Sequence, residues 1–265
     1  LLTGERGIGK TTWLNQMRRE DLEIQRVLLP RRVTSAVDLC TQLAGLLGVD
    51  AGPDAGPREL GRVLYNGPQR VVVLDMAQHL FLANVGGYEA FGAFATLVNR
   101  TCNNVFWLCS MSGYAWRHLR SVRPDATVFR TRRHLTGWSE DEISELIQVR
   151  CAASGVKFNY ADRVVDRLEG VSVRSRLIES ADGYSRLLWD YSDGNPRAAL
   201  HFFVRSLDPD RGSRVRVRLF KAPDVDLLED GGQDGLFVLA AIVTHESICL
   251  DDLIGVTRFD RTQCF

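Results

Sequence analysis

Gly4-Glu5-Arg6-Gly7-Ile8-Gly9-Lys10-Thr11 fits the spacing G-x-x-x-x-G-K-[ST], and each residue type in it has a use in holding phosphate. Glycines let successive backbone N–H groups turn toward an anion, and a helix starting behind them adds partial positive charge. Lys10 supplies an ammonium for β and γ phosphate oxygens, while Thr11 offers a hydroxyl to Mg²⁺. Leu1 and Leu2 precede the loop, and Thr12-Trp13-Leu14-Asn15-Gln16-Met17 follows it with a helical pattern. Strand, loop and helix in that order are the setting this chemistry needs. Gly4 through Thr12 therefore form the candidate site for ATP or ADP.

A Mg²⁺ ion on a triphosphate also needs a carboxylate at the end of a nearby strand. Val71-Val72-Val73-Leu74-Asp75 provides four apolar residues and then an acid, which assigns Asp75 to the metal together with Thr11. Met76 comes next, where an acidic side chain would orient the attacking water, so hydrolysis is expected to be slow. Gln78 or His79 could hold that water, although the simpler reading puts both on a surface helix. Val105-Phe106-Trp107-Leu108-Cys109-Ser110 also ends an apolar run in a hydroxyl. Ser110 is the candidate to face the γ phosphate, Ser112 the second, with helix capping as the competing use. Lys10, Asp75 and Ser110 are thus the catalytic candidates. Asp193-Gly194-Asn195-Pro196-Arg197 turns into a helix and places Pro196 and Arg197 in its first turn, where a cation and free N–H groups could also meet nucleotide.

These residues need a sheet to hold them. Short apolar runs alternate with helical patterns through the first half, the mark of βαβ units and a parallel sheet. Strands are expected at Val27–Leu29, Val71–Leu74, Val105–Leu108 and Ala126–Phe129, with Leu1 and Leu2 ending another. Val37, Leu39, Leu43, Leu46 and Leu47 recur at helical spacing, and Gly113–Leu119 forms a helix after Ser112. From Gly137 onward helices dominate, starting with the capping box of Ser139 and Glu142. Further helices are expected over Tyr160–Leu168, Tyr184–Tyr191 and Pro196–Leu207. Arg214–Phe220 alternates like a strand, and Gly235–Thr244 and Leu250–Val256 form a closing helix pair, with Thr257 leading into a third.

The chain has 265 residues, 45% of them apolar and 25% charged, with 33 basic against 33 acidic side chains. That composition excludes wholesale disorder and rod-like repeats, and its balance gives no general attraction to polyanions. Locally, six arginines between Arg117 and Arg133 face one acid, and Arg211, Arg214, Arg216, Arg218 and Lys221 precede an acidic run. Two readings compete for the first, solvated arginines around a fifth strand or contact with the phosphates of the chain's own or a neighbouring subunit's nucleotide, while mutual neutralisation is the simpler account of the second. The longest apolar run, Phe237–Val243, is far short of a bilayer span. Six scattered cysteines have no metal-binding spacing, which suits reduced thiols in a cytoplasmic protein. The chain opens on Leu1 without a signal-peptide pattern and reads as a piece of something longer.

Taken together, Gly4–Thr11, Val71–Asp75, the Val105–Ser110 strand, the Gly194-Asn195-Pro196-Arg197 turn and the terminal helix pair resemble the AAA+-related ATPases of the STAND and origin-recognition type. The resemblance implies a three-layer αβα P-loop core with a parallel sheet at 1–136, an all-α lid at 137–210 and a partial winged-helix domain at 211–265. It further implies that Ser110 and Arg197 sense the nucleotide from core and lid. The function so implied is an ATP-binding, weakly hydrolysing switch that works with a protein partner or by self-association. The alternative is a DNA-associated ATPase of replication or transposition.

Overall fold

The structure, a computed structural model, describes residues 1–17, 23–52, 54–124, 128–160, 181–209, 214–221, 228 and 231–264. The helix expected at Tyr160–Leu168 and the acidic run after Lys221 fall largely outside them. The chain divides into two units, one formed by Leu1–Arg6, Lys10–Leu135 and Asp226–Phe265, the other by Gly7–Gly9 and Thr136–Val225.

The first unit is built on a parallel five-stranded sheet. Its strands are β1 (Leu2–Gly4), β2 (Ile24–Leu28), β3 (Arg70–Asp75), β4 (Val105–Ser112) and β5 (Arg133–Leu135), in the order β2-β3-β4-β1-β5. Helices α1 (Lys10–Gln16), α2 (Ala36–Leu47), α3 (Pro57–Asn66), α4 (Glu89–Thr101) and α5 (Gly113–Val122) flank it. Strand β3 explains why its run lacks polar alternation. Val72 and Leu74 face a core with Phe91, Phe94 and Leu97 of α4, whereas Val71 and Val73 face a second core with Leu2 and Leu14. Both faces of the strand are dry, as a parallel sheet covered by helices requires.

Of the strand expected at Ala126–Phe129, Ala126 and Thr127 lie outside the described residues and Val128 and Phe129 are not in a strand; the strand that pairs with β1 is β5. Val128 and Phe129 are apolar because they pack against the main core from a loop. The unit ends in α9 (Gly232–His245) and α10 (Leu250–Thr257); α6 to α8 belong to the second unit below. No third helix follows among the described residues. Thr257 bonds back to the Leu253 carbonyl, Arg258 caps α10 in the left-handed region, and 261–264 form a turn.

In the second unit, α6 (Glu140–Ser154) opens with the expected capping box, both halves formed. It packs with α7 (Ala181–Ser192) and α8 (Pro196–Arg205) around Ile143, Ile147, Leu188 and Phe203. The unit is not helical throughout. Strands β6 (Lys157–Asn159), β7 (Leu207–Pro209) and β8 (Arg214–Val217) form a small sheet in the order β6-β8-β7. Helix α8 therefore stops at Arg205, because Leu207 is drawn into pairing with Val217.

Within the first unit, Arg32 joins the terminal helices to the sheet. Its guanidinium donates to the carbonyls of Gln78 and Phe81 at 2.6 Å each and of Ser247 at 2.7 Å, and pairs with Asp252 at 3.5 Å. Burial lowers its pKa, while Asp252 opposes that shift. Arg32→Met should cost about 3 kcal/mol, since it strands the carbonyls of Gln78, Phe81, His245 and Ser247 and a carboxylate. Denaturant unfolding of the full chain measures this, and the half-exposed surface pair Arg31–Asp38 serves as a control worth under about 1 kcal/mol.

Candidate functional site

The carboxyl ends of β1, β3 and β4 bring the site together. Because β4 lies between β1 and β3, the end of β4 falls between the loop after β1 and the acid that ends β3. Crevices at this edge of open parallel sheets are where ligands bind. Here Thr11 Oγ1 donates to Asp75 Oδ2 at 2.6 Å, and Ser110 Oγ donates to Asp75 Oδ1. Met76 N–H is shared between Asp75 Oδ1 and Ser110 Oγ. Thr11 and Ser110, distant in sequence, thus converge on one carboxylate, and the Met76 N–H joins them. Ser112 has the other role, accepting from Ala115 N–H as the cap of α5.

Lys10 is nine-tenths buried, and its ammonium donates to the carbonyls of Gly4 and Glu5 at 2.9 Å each. Burial lowers its pKa, and the carboxylates of Glu246 and Asp75 work against that. Ile8 is buried, whereas Glu5, Thr11 and Thr12 are exposed. Gly7 and Gly9 have φ of +91° and +110°, which only glycine adopts without strain. Inside the second unit a Cβ on Gly7 would meet Arg197 Cβ at 2.6 Å and Asn195 Oδ1 at 2.8 Å. Asn195 caps α8 by accepting from the N–H groups of Arg197 and Ala198, with Pro196 at the first helical position.

Hard oxygen donors fit Mg²⁺, which keeps several waters and takes one or two protein oxygens besides substrate phosphates. Thr11 and Asp75 are such a pair. Among the described residues no group of three His, Cys, Asp or Glu could hold a metal by itself. The same residues contain no helix long and apolar enough to cross a membrane.

Residues 1–117 match the family described as AAA domain. The core has the fold of a P-loop ATPase, and its first 117 residues are similar to AAA domains. Its fold is similar to that of the Aeropyrum pernix ORC1 protein in complex with DNA, at TM-score 0.50 and 11% identity over 97% of this chain and 70% of that one. The Aeropyrum pernix ORC2 protein matches at TM-score 0.48 and 15% identity, over 95% of this chain and 63% of that one. A mutant of Thermotoga maritima RuvB matches at TM-score 0.45 and 14% identity over 98% of this chain and 75% of that one. No curated protein matches the chain.

Glu246 and His245, from the end of the chain, had no signal in the sequence. Glu246 Oε1 lies 3.7 Å from Lys10 Nζ, and its Oε2 accepts from Gln78 Nε2 at 2.7 Å. Gln78 is thus fully buried in a 3₁₀ turn, and His79 is half-buried beside Ser247, so neither is the surface helix residue expected. The terminal helices cover that turn. His245, also fully buried, donates from Nδ1 to the Ala241 carbonyl and accepts at Nε2 from Ala83 N–H. The arginines at 117, 120, 130, 132 and 133 are exposed, two of them stacked on Tyr114 and Trp116.

Burial pushes the His245 pKa down to about 4, helped by the Arg32 cation and opposed by the bond to Ala241. Protonation would also set an N–H against Ala83 N–H. The native state therefore disfavours a proton that the unfolded chain binds below about 6.5. Stability should be fully present above pH 6.5 and fall by about 2–3 kcal/mol as pH drops toward 4. Denaturant unfolding between pH 7 and 4 measures this slope, and His245→Gln should remove most of it.

Proposed function

We infer that this chain binds ATP or ADP with Mg²⁺ and acts as a nucleotide-dependent switch of the STAND and origin-recognition-related type, hydrolysing slowly. The observation that carries the reading is the 2.6 Å bond from the Thr11 hydroxyl to Asp75, with Ser110 on the same carboxylate. The oxygens suited to a metal are thus held in place by the chain's own hydrogen bonds. Loop N–H groups and Lys10 hold the phosphates, Thr11 and Asp75 the metal, and Ser110, bonded to Asp75, is the candidate to face the γ phosphate. The metal, when bound, supplies charge neutralisation at the β and γ oxygens.

Slow hydrolysis follows from Met76, whose side chain has no group to orient water. Arg197, against Gly7 in its own unit, is the candidate to report loop occupancy to the lid. In this reading 1–136 is the core, 137–210 the lid and 211–265 the start of a winged helix. Occupancy is the signal, read in the cytoplasm by a protein partner or a second copy.

A DNA-associated ATPase is the second reading, favoured by the fold shared with a protein described in complex with DNA. Two features of the terminal helices weigh against it. Leu236, Phe237, Ile242 and Val243 leave α9 with exposed apolar side chains, and α10 begins with Asp251 and Asp252. Such surfaces suit protein contact better than phosphate contact.

Lys10→Ala removes the point charge on the β and γ phosphates and should weaken calorimetric ATP binding about a hundredfold or more. Equal binding by the variant would refute the nucleotide site. DNA affinity with a steep salt dependence would favour the second reading.

A further inference from the structure

Glu246 stands in a backbone conformation that a glutamate seldom adopts. Its φ and ψ are 58° and −46°, and Ser247 N–H donates to the His245 carbonyl at 2.7 Å across it. That is a γ-turn of the positive-φ kind, rare and strained, and such strain persists only where neighbours over-determine it. The neighbours are present on every side. His245 is fixed through both ring nitrogens, Arg32 holds the Ser247 carbonyl, His79 meets the Ser247 hydroxyl, and Arg6 donates to the Glu246 carbonyl at 3.0 Å.

What the strained turn achieves is the delivery of one carboxylate to Lys10. Its side chain is 10% exposed, and it lies between the Lys10 ammonium and the Gln78 amide. Glu246 Oε1 and Gln78 Oε1 are both buried without a hydrogen-bond partner. A nucleotide's inner phosphates lie in the loop N–H groups, and its terminal phosphate projects past the lysine toward the residues that follow the strand-end acid. The anion bridging Lys10 and Gln78 lies on that path.

We propose that the Glu246 carboxylate occupies the place of a terminal nucleotide phosphate, so that the chain selects nucleoside diphosphate over triphosphate until this side chain is displaced. The proposal rests on the nucleotide-binding reading above and adds to it the residue that sets the preference. A triphosphate must break the Lys10 and Gln78 contacts and bring further negative charge to the spot. A diphosphate leaves Glu246 where it is. Release of the turn also frees a strained backbone next to the Arg32 contacts, which gives the terminal helices a direct link to the number of phosphates bound.

Calorimetric titration of the full chain with Mg²⁺·ADP, and with Mg²⁺ and a non-hydrolysable ATP analogue, tests the proposal. Glu246→Gln keeps the size of the side chain and a partner for Gln78 while removing the charge. It should bind the triphosphate about tenfold tighter or better, with ADP affinity changed by less than about threefold. Glu246→Gly, which suits the positive φ, should shift the ratio the same way. Equal shifts for both nucleotides, or none in a wild type that binds both, would overturn the competitor role and leave the nucleotide site standing. Failure of wild type and both variants to bind either nucleotide would overturn the site and the proposal together.

Discussion

A buried ammonium sets the terms for this molecule. Removing a cation from water costs several kcal/mol unless anions or dipoles replace the water. Lys10 is nine-tenths buried, and its replacements are two loop carbonyls and the carboxylate of Glu246. The carbonyls come from the loop's own curl. Glu246 comes from the far end of the chain, and keeping it there requires a strained turn, a histidine held through both nitrogens and an arginine with four carbonyl acceptors. An arrangement that satisfies a buried ammonium with an internal carboxylate is one that another anion can take apart.

Asp75 presents the complementary case of an anion with donors on both oxygens. Thr11, Ser110 and the Met76 N–H all reach it. Positive and negative halves of the site are therefore each satisfied by groups of the chain itself. Binding then becomes an exchange of partners more than a filling of empty space, and selectivity depends on which internal contacts a ligand can replace. The left-handed conformation of Met76, with φ of 57°, bends the chain out of β3 so that Ala77 and Gln78 turn inward under the terminal helices.

The sequence by itself determined the local parts. The G-x-x-x-x-G-K-T spacing, the Val71–Asp75 run, the Ser139 capping box and the Asn195-Pro196 helix start are short-range patterns whose meaning is written in adjacent residues, and each has the form that it predicts. Sheet order was only partly legible, because an apolar run does not say which strand it will lie beside. Val128 and Phe129 thus read as a strand, although their apolar character serves loop packing. Only the tertiary structure decided that Ser110 and Asp75 share a hydrogen bond, that Gln78 is buried, and that Glu246 answers Lys10 from 236 positions away. Glutamate is the residue type least informative about its own burial, since it is usually solvated. A single cation placed opposite it reverses that default, and sequence spacing carries no record of such a placement.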